Sequence, residues 1–293
     1  MRYIISFLLT SAAMSPVLAD APRVVVDIPP IHALVAQVMG DLGTPTLLLT
    51  RGANEHDFQL RPSQAQDIAD AGLIIWIGPE LTPWLDRAIP SLAPQTTTLG
   101  LLNAPATRHL PHTDHDHDHS GTDPHAWLDP DNARLWLPLI AAELARLDPA
   151  NAATYAANAT TADDAVAALD TRLAAQLAPV RDRPFVTYHD AYGYFTAHFG
   201  LTMAGSVALG DASAPGAARL TRLAQTVRAT GALCLFPEAQ HDPAFLQQLA
   251  EGSDARVGGV LDPVGSLQDP GPQAYAGTLQ AIADTLTACL DAP

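Results

Sequence analysis

The chain of 293 residues contains no lysine: all 15 of its permanently cationic side chains are arginine, set against 31 aspartates and glutamates. Without lysine there is no GxxxxGK[ST] run, so this chain does not perform ATP chemistry of that type. A formal charge of −16 makes the surface repel phosphate backbones and anionic lipid, which argues against nucleic acid as a partner. Cations are the natural guests of such a surface. Cysteine is scarce as well. Cys234 and Cys289 are the only two, and they stand too far apart for a CxxC redox or zinc motif. After the N-terminus no apolar run approaches the roughly 20 residues needed to span a bilayer.

The first 19 residues, MRYIISFLLTSAAMSPVLA, place Arg2 before an apolar run from Tyr3 to Leu9 and end in Val17-Leu18-Ala19. That order is the layout of an export signal, with cleavage expected before Asp20. The mature chain would then carry 14 arginines against the same 31 acids, a formal charge of −17. In an oxidising compartment a lone cysteine pair is expected to form one structural disulfide. With 48% hydrophobic and 16% charged residues, the composition is that of a globular protein, and the length suits one large domain or two.

Short β-branched or apolar runs recur at residues 23–28, 44–50 and 73–78, separated by helical patterns, the second of which begins after Pro62 with Ser63 expected as its cap. The alternation resumes with strand-like runs at 184–189, 202–208, 232–237 and 257–261, and with helices beginning near Ala191, Ala217, Pro243 and Pro272. Strand followed by helix, repeated, predicts a parallel sheet covered on both faces. Between the two series, from Pro149, apolar residues recur at Tyr155, Ala159, Ala162, Val166, Leu169, Leu173 and Leu177, and Pro179 ends the run. These spacings describe one helix of about 30 residues with a single buried stripe. The expected fold is therefore α/β: two parallel-sheet lobes, residues 20–147 and 180–293, joined by one long rigid helix over 148–179.

Eleven histidines are present. Four of them, His112, His115, His117 and His119, alternate with aspartates in HTDHDHDH inside a loop spanning 109–122. A stretch without apolar residues cannot pack a core, so it is expected to be solvated. It either lies inert or gathers metal weakly. His32, His109, His198 and His241 read as surface or capping residues. The remaining three each follow a strand or sit where a strand meets a helix: His56 in RGANEHDFQLRPS, His125 in DPHAWLDP, and His189 at the end of FVTYH. Ligands in open α/β sheets bind beyond the carboxyl ends of the strands, so all three can meet in the cleft between lobes. Asp262, after VGGVL, and Glu55, beside His56, are carboxylates within reach. Three neutral imidazoles with one carboxylate suit a divalent ion of borderline softness, zinc before manganese, whereas calcium or magnesium would want oxygen throughout.

The four segments ANEHDFQLRPS, DPHAWLDP, YHDAYGYF and LDPVGS, in this order on an exported two-lobed chain with a long central helix, resemble the zinc-binding periplasmic components of ABC importers, the ZnuA-like members of the metal-binding cluster A-I solute-binding proteins. The resemblance runs from Val24 to Leu290. It implies a periplasmic zinc-binding protein, not an enzyme, that captures Zn(II) between its lobes through His56, His125 and His189 and delivers it to a membrane permease. It also allows a periplasmic zinc chaperone as a second protein partner, and a monomer as the working unit. The fourth ligand varies among relatives: Asp262 ranks first, with Glu55 or water as the alternatives. A histidine at 189, where manganese relatives often have glutamate, supports zinc. The His-rich insertion falls where zinc relatives carry one, and Cys234 and Cys289 match a pair that ties a strand to the last helix. Manganese import by the same class is the nearest competing reading. A secreted zinc hydrolase, with Glu55 or Glu238 as base, and an adhesin of the same fold stand further off; no HExxH motif supports the hydrolase.

Overall fold

The computed structural model describes residues 21–111, 121–208 and 216–292. The expected export signal at 1–19 and the histidines at 112, 115, 117 and 119 lie outside the described residues.

Four parallel strands form the first sheet: β1 (Val24–Val26), β2 (Thr46–Leu47), β3 (Leu73–Trp76) and β4 (Thr97–Gly100), in the spatial order β2-β1-β3-β4. β1 and β3 occupy the centre and are buried throughout, which is why they consist of valine, isoleucine, leucine and tryptophan. The edge strand β4 is threonine-rich and only partly buried, so its run carries no apolar pattern by which to anticipate it. Helices α1 (Pro29–Met39), α2 (Pro62–Ala69), α3 (Pro83–Leu92) and α4 (Pro130–Leu147) cover this sheet, and each opens on a proline. At the first helical position proline forfeits no hydrogen bond and its φ is already helical. Because Pro62 takes that position in α2, the residue before it, Arg61, is the cap; Ser63 lies inside the first turn and makes no capping bond. The Gln64 side chain instead accepts the Arg61 backbone N–H at 2.8 Å.

The long helix α5 (Ala152–Leu177) has 26 residues, preceded by a 3-10 turn at Pro149–Asn151 and followed by another at Ala178–Val180. It is thus shorter at both ends than its apolar period predicts, since the prolines at 149 and 179 sit in the tighter turns. The seven stripe residues from Tyr155 to Leu177 are all buried. They pack against α1 and α4 of the first lobe and against α6 (Gly193–Phe199) and α9 (Ala274–Leu290) of the second. One continuous core therefore runs from Val24 through the stripe to Leu279 and Leu286. α5 is a shared spine packed into both lobes, and bending it would expose that core.

The second sheet repeats the first in the order β6-β5-β7-β8, with β5 (Phe185–His189), β6 (Met203–Ala208), β7 (Cys234–Phe236) and β8 (Arg256–Val257), all parallel. Helices α7 (Ala217–Thr230) and α8 (Ala244–Glu251) complete this lobe. Cys234 and Cys289 form a disulfide that fastens β7 to α9. Between the lobes, the Trp127 indole donates to the Pro263 carbonyl at 2.8 Å, and Tyr275 donates its hydroxyl to the Trp127 carbonyl at 3.1 Å. The loops leaving the strand ends are thereby held face to face. Among the described residues no helix is long and apolar enough to cross a membrane.

Candidate metal centre

The loop after β2 owes its shape to local polar bonds. Asn54 Oδ1 accepts the backbone N–H groups of His56 at 2.9 Å and Asp57 at 3.0 Å, a side-chain turn that asparagine supports well. The Trp84 indole donates to the Glu55 carbonyl at 2.8 Å, and the Phe58 ring packs on that indole. The backbone on each side of His56 is thus anchored. Its imidazole is half-buried and faces the opposite lobe.

His125 sits just before a 3-10 turn at Ala126–Leu128 that leads into α4. Asp123 Oδ1 accepts both the His125 backbone N–H at 3.0 Å and its Nδ1–H at 2.7 Å. One carboxylate oxygen therefore sets the turn and the ring together, leaving Nε2 to point away. Asp129, at the other end of the motif, caps α4 by accepting the Asp131 N–H at 3.0 Å. In this way DPHAWLDP supplies an orienting acid, an imidazole, an inter-lobe tryptophan and a helix cap.

His189 is the last residue of β5 and is buried. Its Nδ1–H donates to Glu238 Oε2 at 2.5 Å. Glu238 follows β7 and is held by a parallel bridge to Leu261. Burial opposes a charge on His189, but the Glu238 carboxylate, aided by Glu55 and Asp190, outweighs it and raises the pKa above 6.5.

Residues 69 and 64 positions apart meet here. The Nε2 of His125 lies 3.4 Å from that of His56 and 3.4 Å from that of His189. Since the Nδ1 atoms of His125 and His189 donate to carboxylates, both Nε2 atoms present lone pairs, and these converge. Convergent lone pairs repel unless a cation lies between them. Two nitrogens each ~2.05 Å from a tetrahedral ion would be about 3.3 Å apart, which matches the observed spacing. A carboxylate oxygen of Glu55 joins them: the ligand atoms of Glu55, His56, His125 and His189 all lie within 4.8 Å of one another. Glu55 is buried, and desolvation lifts its pKa to about 7; the charge of His189 opposes the rise, while Glu238 and Asp262 add to it.

Asp262, ranked above Glu55 from the sequence, stands outside this group. Its carboxylate caps its own loop, accepting the Leu267 N–H at 3.0 Å and facing the Ser266 hydroxyl at 3.4 Å from each oxygen. It is near enough to act on Glu55 through its charge.

Three of the four histidines read as surface or capping residues are placed otherwise. His32 is buried within α1, with Nε2 3.1 Å from the Pro45 carbonyl. His198 bridges Asp129 at 2.9 Å and Asp170 at 2.8 Å, with Asp131 at 3.9 Å, and its pKa is raised to about 9: burial opposes this, and the two aspartate bonds prevail. Burial raises the pKa of Asp129, yet His198, the Asp131 N–H and Arg108 outweigh it and hold that carboxylate below its ordinary value. His241 is largely covered, stacked on Tyr188 with ring centroids 4.3 Å apart. Only His109 is exposed, bonded to the Leu102 carbonyl at 2.7 Å. Helical and loop position alone could not reveal the aspartates that the fold brings to His198.

The orienting carboxylates were the other omission. Asp123 could have been found two residues before His125 in the DPH segment. Glu238 lies 49 residues from His189, and its only signal is an acid following a strand of the same sheet.

The profile of the family described as the zinc-uptake complex component A periplasmic, ZnuA, matches residues 24–289. The high-affinity zinc uptake system protein ZnuA of Paracoccus denitrificans is 47% identical, over 96% of this chain and 95% of its own. The protein of the same name from Brucella abortus strain 2308 is 33% identical, over 98% and 97%. Among solved structures, a ZnuA crystal structure superposes with a TM-score of 0.78 at 24% identity, covering 92% of this chain and 99% of that one. The periplasmic zinc-binding protein TroA of Treponema pallidum superposes with a TM-score of 0.81 at 21% identity, again over 92% and 99%; these structures bear on the fold. The chain belongs to the zinc-uptake complex component A periplasmic family, ZnuA.

Proposed function

We propose that this protein is a high-affinity periplasmic carrier that captures Zn(II) between its lobes and delivers it to the membrane permease of an ABC importer. The observation that carries this reading is that the Nε2 atoms of His56 and His189 each stand 3.4 Å from that of His125, a tetrahedral ligand spacing, with a Glu55 carboxylate oxygen in the same compact group. Glu55 serves as the fourth ligand, and Asp262 acts from behind it through charge. Three imidazoles and one carboxylate favour zinc over manganese, which tolerates more oxygen in its shell. The names of the similar proteins from Paracoccus and Brucella support the same ion and the same uptake role. A site closed by four side chains holds an ion as cargo and leaves no open position for the activated water of a hydrolase, so the reading is a carrier and not an enzyme.

Residues 1–19 act as the export signal, residues 20–147 and 180–293 form the two lobes, and the protein works as a monomer. The histidines at 112, 115, 117 and 119 gather zinc before it reaches the cleft. They hold it more weakly than the cleft, whose ligand atoms already stand at metal-binding spacing. A metal-competition titration of residues 20–293 with Zn(II) and Mn(II) tests the whole reading. One tight zinc ion, preferred over manganese, is expected; manganese retained in the presence of zinc would transfer the protein to manganese import, and no tight metal would end the assignment.

A further inference from the structure

Glu238 is a charge in an unfavourable place. Its side chain has no exposed surface, and removing an ionised carboxylate from water costs several kcal/mol unless it is well paired. Its pairing is incomplete. Oε2 accepts the His189 Nδ1–H, whereas Oε1 makes no hydrogen bond of good geometry among the described residues. The buried Tyr192 hydroxyl is the group facing this carboxylate, and burial first, then the carboxylate, push the Tyr192 pKa up. The nearest other imidazole atom, His241 Nε2, stands 3.7 Å from Oε2, beyond hydrogen-bond distance, and its ring is kept there by stacking on Tyr188. The backbone at 238 does not depend on the side chain. It is fixed by the bridge to Leu261, through which Ala239 donates its N–H to the Leu261 carbonyl at 3.0 Å and Leu261 its own to the Pro237 carbonyl at 2.8 Å. A carboxylate buried at this cost and unnecessary to its own loop makes one short, well-formed hydrogen bond, to His189 Nδ1.

We propose that Glu238 is a positioning and selectivity residue: by accepting the His189 Nδ1–H it aims Nε2 into the metal cluster and strengthens that nitrogen as a donor, favouring zinc over manganese. This rests on the ligand set proposed above. The physical basis has two parts. A fixed acceptor on Nδ1 holds the ring orientation and the tautomer, so the lone pair is ready without reorganisation. Charge density passed through the ring benefits an ion that bonds strongly to nitrogen more than one that prefers oxygen, so zinc gains more than manganese. Glu238 therefore acts through His189 and does not touch the ion.

The role has a signature that a merely structural residue would lack. Glutamine at 238 removes the buried charge but keeps the volume and an acceptor for the His189 Nδ1–H, so the metal-free fold keeps its stability while the loss of the carboxylate's charge weakens metal binding. Affinity and stability should move independently. The test uses the mature chain and the variants Glu238→Ala, Glu238→Gln and His189→Ala, with Zn(II) and Mn(II) competition titrations and thermal unfolding of the metal-free proteins. Glu238→Ala should lower zinc affinity about 10- to 100-fold, with a smaller loss for manganese. Glu238→Gln, which keeps an acceptor oxygen and the side-chain volume, should lose less affinity and show no fall in Tm. Unchanged zinc affinity in both Glu238 variants, with His189→Ala impaired, would overturn the inference, as would equal losses for the two metals or a fall in Tm of Glu238→Gln in step with its affinity. An unimpaired His189→Ala would instead overturn the ligand assignment on which it rests.

Discussion

His125 and His189 arise from different lobes, yet their Nε2 atoms stand 3.4 Å apart, each ring braced from behind by a carboxylate: Asp123 at 2.7 Å for His125 and Glu238 at 2.5 Å for His189. The pairing of the lobes and the aim of the two lone pairs are one arrangement. Anything that displaces one lobe relative to the other by an ångström separates the two nitrogens.

Changing His56, His125 or His189 singly to alanine should lower zinc affinity by about 100-fold or more, a larger loss than that from removing an orienting partner. Deleting residues 112–119 should leave one tight zinc ion and remove only weaker sites. Isothermal or competition titration of the four variants checks both statements; tight binding lost with the deletion and retained in the point variants would reverse the assignment.

The two candidate carboxylates are separable. Glu55→Gln should weaken zinc binding at least 10-fold, whereas Asp262→Asn, outside the compact group, should change it only a few-fold through the lost charge. If Glu55 is the fourth ligand, as proposed, zinc needs its ionised form; burial raises its pKa to about 7, so protons compete with zinc below that pH. Affinity should therefore fall as pH drops from 8 to 6, and the slope should be shallower in Glu55→Gln. Zinc titrations at three pH values measure that slope.

The ion pair of His198 with Asp129 and Asp170 gives the fold its own pH dependence. The folded pKa of about 9 exceeds the ordinary 6.5, so the stabilisation is fully present below pH 6.5 and is lost as pH rises through 9. The shift caps the effect at about 3 kcal/mol, less after screening by solvent. Denaturant unfolding of metal-free protein at pH 6.5 and 9.5 should show the loss. In His198→Gln most of that difference should vanish.

The disulfide closes a loop with a sequence separation of 55, for which chain entropy assigns about 4 kcal/mol of stabilisation. Replacing Cys234 and Cys289 together by serine should lower Tm clearly. Zinc affinity, measured well below the new Tm, should be retained, since none of the proposed ligands lies on the β7–α9 contact. A variant that melted normally would show that the unfolded chain is already constrained in that region.

The legible parts of this molecule were those with a strong period or a local polar device. The α5 stripe could be traced residue by residue because a helix buried on one side must repeat its apolar positions every three or four residues. Only its ends were misjudged, where proline tolerates a 3-10 turn as readily as an α-helical one. The central strands were legible from their β-branched runs, and the edge strand β4 was not, because a half-buried edge of threonines has no apolar signature. Parallel strands with connecting helices also carried the cleft position, since ligands collect beyond the strand ends. What local patterns could not rank was Glu55 against Asp262. Both follow a strand and both reach the cleft, but the Asp262 carboxylate is occupied by its own loop at Leu267 and Ser266.

The amino-acid order by itself therefore determined the two α/β lobes, the spine between them, the candidate histidines and, through the cation-seeking charge, the class of guest. It could do so because periodicity, turn chemistry and charge balance are local or summed properties. Tertiary structure alone decided which lone pairs converge, which carboxylate stands behind each ring, which acid joins the cluster, and that His198 is a largely covered link between aspartates and not a free surface residue. Those outcomes depend on distances between residues tens of positions apart, which are settled only when the shared core along α5 fixes one lobe against the other.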